Sequence, residues 1–214
     1  MGTTLGLIIF SPEFNTTGEI NYKSYVRVPG EKESISANDI YDICTTHDGD
    51  TYIATFGGGL NKINSWDNNN LPESFISYTR KDGLPSDVIL TLSEDKHNNI
   101  WVVTEGNITK FNLQTNSFET YSEINRLIQN QNFSEGARAM TSDGVLHFGY
   151  SKGFISVNPD KIQDNNFQPY VALTRLQISN KNVPIGESSP LTESLDYLKS
   201  VKLNHKQNFI NIEF

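Results

Sequence analysis

Sulfur is scarce in this 214-residue chain, which has a single cysteine, Cys44, and two methionines. A lone cysteine excludes an internal disulfide and leaves the redox compartment open. Runs of Lys or Arg are missing as well, and 25 acidic against 17 basic residues give a net charge of −8. That balance lacks the positive footprint that nucleic acid or an anionic bilayer requires, so neither is expected as a partner. Long apolar runs are also absent. The N-terminal "LGLIIF" is apolar for six residues, far short of the roughly 20 that a membrane span needs, and no basic flank precedes it. Helical periodicity is weak throughout. "FGGGLNK" at 56–62 has glycines and a lysine but no Gly-Lys-Ser/Thr ending and no helix after it, which excludes a phosphate-cradling loop.

What the chain does have is a repeat. With Tyr52 placed over Trp101, Ile40 falls on Ile89, Ile43 on Leu92, Thr46 on Asp95 and Thr55 on Thr104, and all five pairs agree in polarity. A third copy follows after a one-residue gap, with Gly144 against Gly49 and Asn98, His147 against Trp101, and Gly153-Phe154 against Gly59-Leu60. A partial copy precedes them, carrying Gly6-Leu7 and Phe10 where the second has Gly59-Leu60 and Ile63. Each unit reads as four short antiparallel strands separated by Asp-Gly, Asn-Asn or glycine turns, residues that tolerate positive φ. The period is close to the roughly 40–50 residues of a propeller blade. The expectation is an all-β protein: about three and a half four-stranded blades of a partial β-propeller, followed by the start of an Ig-like β-sandwich.

"DGLPSDVILTLSEDKHNNIWVVT" at 82–104 resembles the two-component regulator propeller repeat, and "NFSEGARAMTSDGVLHFGYSKGFISVNPDKI" at 132–162 is similar to the last blade of that family. "PYVALTRLQISNKNVPIGE" and "LNHKQNFINIEF" resemble the opening of the small β-sandwich called the Y_Y_Y domain. The resemblance divides the chain into propeller blades at 1–162, a linker at 163–169 and a truncated Y_Y_Y-type sandwich at 170–214. Two departures bear on loop geometry: "TEGNIT" lacks the usual Gly-Gly-Leu, and His147 stands at an aromatic position. Family propellers have roughly seven blades, within the general range of 4 to 8, so the chain reads as a piece of a longer polypeptide. An open arc leaves unpaired edges and bare faces, and either a dimer or excision from a closed ring is expected.

Candidate ligand residues lie just before each innermost strand, where a propeller faces its channel: Asn38, Asp39, Ser86, Asp87, Ser134 and Glu135, with Arg138 in the third full copy. Such a polar ring either hydrogen-bonds sugar hydroxyls or caps turns. Phe56, Phe133 and Tyr150 either stack on a pyranose or pack between blades. His47, His97 and His147 are evenly spaced, yet the repeat offsets make them inequivalent, so no metal site is expected. Cys44 reads as a small core residue.

In the connector and beyond, "VALTRLQIS" places Ala172, Thr174, Leu176 and Ile178 on a core-facing side, "NKN" at 180–182 turns the chain, and Ile210, Ile212 and Phe214 share a face. The resemblance implies an extracytoplasmic sensor of a hybrid two-component system. It would be periplasmic, with its parent anchored in the inner membrane, detecting an oligosaccharide and signalling through a histidine kinase to control transcription. No catalytic residue and no cofactor are expected in this segment. The alternatives are a protein-interaction scaffold and a propeller lyase or hydrolase.

Overall fold

The computed structural model describes residues 1–10, 22–121, 132–162 and 172–214. It separates into two compact units, Met1–Ile162 and Gln163–Phe214. The connector expected at 163–169 and the start of the strand at Val171 lie outside the described residues.

Among its described residues the first unit contains four antiparallel sheets in chain order. The first holds β1 (Gly2–Thr3), β2 (Gly6–Phe10) and β3 (Tyr22–Tyr25). The second holds β4 (Ile40–Thr45), β5 (Thr51–Thr55), β6 (Leu60–Trp66) and β7 (Pro72–Tyr78), and the third β8 (Ile89–Glu94), β9 (Asn99–Thr104), β10 (Ile108–Asn112) and β11 (Ser117–Thr120). The fourth holds β12 (Phe133–Met140), β13 (Leu146–Tyr150) and β14 (Gly153–Val157). Each sheet is a meander whose neighbours in sequence are neighbours in space. The helical turns among the described residues are single 3₁₀ turns, Arg80–Asp82 and Pro159–Lys161. This is the all-β, bladed architecture the repeat implies.

Local chemistry explains the regularity. At the turn between first and second strands, Gly49, Asn98 and Gly144 have φ of 91°, 60° and 90°. The same bond closes each turn: Thr46 N to Asp50 O at 2.8 Å, Asp95 N to Asn99 O at 2.9 Å, and Thr141 N to Val145 O at 3.0 Å. Only residues that accept the left-handed region at low cost serve there. The entry to the third strand repeats as well. A side chain at Gly6 would collide with the carbonyl of Tyr25, and one at Gly59 with that of Tyr78. "TEGNIT" replaces this glycine entry with a tighter turn in which Thr104 N donates to Asn107 O at 2.9 Å. The threonine keeps its role across the departure, since Thr55 Oγ1 donates to Gly59 O at 2.7 Å and Thr104 Oγ1 to Asn107 O at 3.3 Å.

Tyr52, Trp101 and His147 stand at one register position. Tyr52 lies opposite Cys44 and Lys62, Trp101 opposite Ser93 and Lys110, and His147 opposite Ala139 and Ser156. Alternation along the second strands feeds two cores at once: Ile100 and Val102 pack into one cluster, Trp101 and Val103 into the next. Strands buried on both faces read as near-continuous apolar runs, as "IWVV" does. Cys44 belongs to the core with Tyr52, and burial, the largest influence on it, pushes its thiol pKa up.

The second unit contains β15 (Arg175–Ile178), β16 (Lys181–Asn182) and β17 (Ile210–Glu213), in the order β16-β15-β17. The turn expected at 180–182 falls one residue earlier. Ser179 and Asn180 take φ of 50° and 62°, the pair of positive values a two-residue hairpin turn demands, and Lys181 already belongs to the returning strand. Of the four residues expected on the core-facing side, Leu176 is buried, Ala172 and Ile178 are half-buried and Thr174 is exposed. Ile210, Ile212 and Phe214 are 46%, 49% and 86% exposed, because no second sheet covers that face among the described residues.

Candidate functional site

The first strands of the second, third and fourth sheets pack on one another, so residues at their entrances converge. One carboxylate joins all three. Asp42 Oδ2 on β4 accepts from Leu92 N on β8 at 2.8 Å and forms an ion pair with Arg138 Nη1 on β12. Arg138 Nη2 donates to Ile43 O at 3.0 Å. Arg138, a candidate ligand residue, is thus occupied by the strands themselves.

The remaining candidates divide. Asn38 Oδ1 accepts from Arg27 N at 2.7 Å, Ser86 Oγ from Val88 N at 3.1 Å, and Asp87 Oδ1 from Arg80 N at 2.8 Å. Asp87 also lends its carbonyl to Gly57 N and Gly59 N. In these three the side chains cap loops. Asp39 accepts from Phe56 N through its carbonyl at 2.9 Å, while its carboxylate oxygen Oδ1 is buried with no hydrogen-bond partner. Ser134 and Glu135 are exposed on a wide bulge of β12, where the register jumps from Phe133↔Tyr150 to Arg138↔Phe148.

Tyr41 and Glu105, neither among the sequence candidates, complete this mouth. A one-residue bulge between Ile40 and Asp42 contains Tyr41, whose ring meets Phe56 at 5.5 Å and 48°. Phe56 is 49% exposed, so it is not the packed aromatic that Phe133 and Tyr150 are; those two meet edge to face at 6.2 Å. Gly136 sits over the same spot, since a Cβ on it would lie 3.8 Å from Tyr41 O. Burial first, and then the charges of Asp39, Glu135 and Glu105, raise the Tyr41 pKa above the ordinary phenol range. Glu105 follows Thr104 as Phe56 follows Thr55, a repeat-position signal the sequence carried. The arrangement is an aromatic pair, with Phe56 exposed and Tyr41 half-buried, beside three carboxylates, suited to stacking and to accepting hydrogen bonds.

The histidines take separate partners. His47 Nδ1 lies 2.7 Å from Glu94 Oε1, His97 Nε2 2.5 Å from Asp160 Oδ1, and His147 Nδ1 2.9 Å from Ser156 Oγ. Hydrogen bonds to Glu94 and to Asp160 are the leading causes that raise the pKa of His47 and of His97. A raised folded value means the charged form favours the native state. That contribution is whole below about pH 6.5 and disappears as pH rises through the raised values. The thermal midpoint of the first unit is therefore expected to fall between pH 6 and pH 8.5, and to fall less in a His47→Gln/His97→Gln variant. An equal fall in both proteins would contradict this origin.

Residues 83–106 match the family model described as the two component regulator propeller. The chain is similar to histidine kinase P4 of Formosa agariphila, 29% identical over 133 residues, which are 62% of this chain and 10% of that protein. Among solved structures it resembles the extracellular domain of a hybrid two component system of B. thetaiotaomicron, with 28% identity and a TM-score of 0.56, covering 82% of this chain and 23% of that one. A second such domain from the same bacterium aligns at 17% identity and a TM-score of 0.40, over 99% of this chain and 46% of that one. The chain thus spans about a tenth of the curated relative and about a quarter of the first of these structures.

Proposed function

We propose that this chain, whose residues 83–106 match the two component regulator propeller model, is a ligand-sensing portion of the extracytoplasmic half of a hybrid two-component system, detecting an oligosaccharide. The observation that carries the ligand class is the mouth itself. Phe56 lies half exposed against Tyr41, and the Asp39 carboxylate beside it has an oxygen without a donor. Aromatic faces suit the apolar C–H side of a sugar ring, and the exposed carboxylates of Glu105 and Glu135 suit its hydroxyls. In this reading the propeller unit spans 1–162, and the unit beyond it is a Y_Y_Y-type sandwich leading toward a membrane anchor and a histidine kinase that controls transcription. The setting is periplasmic, and the sensor works as a dimer. Signalling then requires a difference in ligand affinity between two arrangements of that dimer.

Calorimetric titration with plant, host and microbial oligosaccharides tests the ligand. Saturable binding without turnover is expected, weakened about 5- to 10-fold by Phe56→Ala, the loss of about 1 kcal/mol of ring contact. Hydrolysis or elimination of any glycan in the panel would replace the sensor with an enzyme. Binding indifferent to Phe56 would move the site elsewhere.

A further inference from the structure

We infer that the mouth at Tyr41 and Phe56 selects its ligand by charge, taking neutral or amino-bearing polyols and turning away sulfated, phosphorylated and uronic-acid ones. This inference rests on the sugar reading above and specifies the class of sugar.

Four observations lead there. The first is the Asp39 oxygen that is buried without a donor. That oxygen is closed to direct contact, but no donor offsets the negative charge it carries beside the mouth. A hydroxyl tolerates such a charge and an ammonium is drawn to it, whereas an anionic oxygen brought nearby is repelled. The second is the position of Glu135, carried on the β12 bulge that Gly136 sets over Tyr41. The third is Arg138, the cation that the sequence offered as a ligand contact. It is already neutralised by Asp42 and bonded to Ile43 O, so it has no free charge to offer a sulfate or carboxylate. The fourth is Phe56, whose half-exposed ring carries negative charge on its face and favours C–H groups and cations over anions. The net charge of −8 adds a long-range field of the same sign.

Three tetrasaccharides of matched length provide the test: the glucosamine tetramer, the N-acetylglucosamine tetramer and the galacturonate tetramer. They are cationic, neutral and anionic at pH 6. Titrations on the whole chain at low salt are expected to rank them in that order. At least a tenfold gap should separate the first from the last, narrowing as salt is added. In Asp39→Asn and Glu135→Gln the ratio between the cationic and anionic tetramers is expected to shrink to roughly threefold or less, from the loss of one negative charge in each. Thermal melting establishes that both variants are folded, and the Phe56 N to Asp39 O bond is preserved by Asn. Galacturonate binding as tightly as the neutral tetramer, or a ratio unchanged in both variants, overturns the charge selection while leaving the sugar reading in place. If none of the three binds and the wider glycan panel is also silent, the sugar reading falls and the charge selection falls with it.

Discussion

Asp42→Ala is expected to destabilise the Met1–Ile162 unit by about 3 kcal/mol, the lower end of the range for breaking a buried ion pair. The Asp42 side chain is 10% exposed and that of Arg138 28%, so the guanidinium stranded by the mutation recovers some hydration, which trims the penalty. Two groups lose their acceptor at once: Arg138 Nη1, and the amide of Leu92 on the edge strand β8. Because a single carboxylate ties β4, β8 and β12, the loss should spread. Amide exchange in β12 is expected to accelerate along with global unfolding. The companion variant Arg138→Met leaves Asp42 still bonded to Leu92 N and places an apolar chain where the other repeats have one. It should cost less than Asp42→Ala, and the double variant should cost less than the sum of the two. Denaturant titration of the four proteins measures the coupling. A coupling near zero, or an Asp42→Ala cost under 1 kcal/mol, would mean that the ion pair contributes nothing to joining the sheets.

How much of this was legible beforehand depends on the range of the interaction. Gly49, Asn98 and Gly144 could be aligned from the sequence, and all three have positive φ, because a turn is determined by residues within five positions of one another. The Asp42–Arg138 pair could not be read that way, since its partners lie 96 residues apart. A clue was nonetheless present. Arg138 lies opposite Phe148 as Leu92 lies opposite Val102 and Ile43 opposite Ile53, so a charge occupies a position where two other copies place an aliphatic side chain. Such a residue needs a buried counterpart more than it needs a ligand. Tyr41 escaped notice for a different reason. Strand parity assigns sides by counting in twos, and a bulge, which sequence periodicity does not announce, reverses the count. The same effect turns Leu90 toward one core and Leu92 toward another. For Asn38, Ser86 and Asp87 the sequence offered both capping and ligand contact, and the bonds to Arg27 N, Val88 N and Arg80 N are those of capping. Ile210, Ile212 and Phe214 alternate as a core-facing strand should, but alternation specifies a shared side and not what covers it.

Trp101→Ala carries the largest side-chain penalty expected among the described residues, about 4 kcal/mol from lost burial and the cavity left behind. The indole is 1% exposed, stacks on Tyr121 at 5.8 Å and 21°, and donates Nε1–H to Asp95 Oδ2 at 2.8 Å. Asp95, itself 4% exposed, also accepts from His97 N and Asn99 N, so it keeps its turn when the indole is gone, and most of the cost is packing. The repeat provides internal controls. Tyr52 occupies the same register position at 2% exposure, with its ring edge-on to Phe111 at 6.2 Å, and Tyr52→Ala should cost somewhat less, in proportion to the smaller ring. His147, at the third equivalent position, is half-buried beside Phe154, which is 65% exposed. His147→Ala should therefore cost under about 1 kcal/mol, the usual scale for a poorly covered side chain. The descending order follows from what lies across from each residue and not from its place in the repeat. Equal losses at all three positions, measured by chemical unfolding, would show that the position itself matters and that the packing described for Trp101 does not hold it.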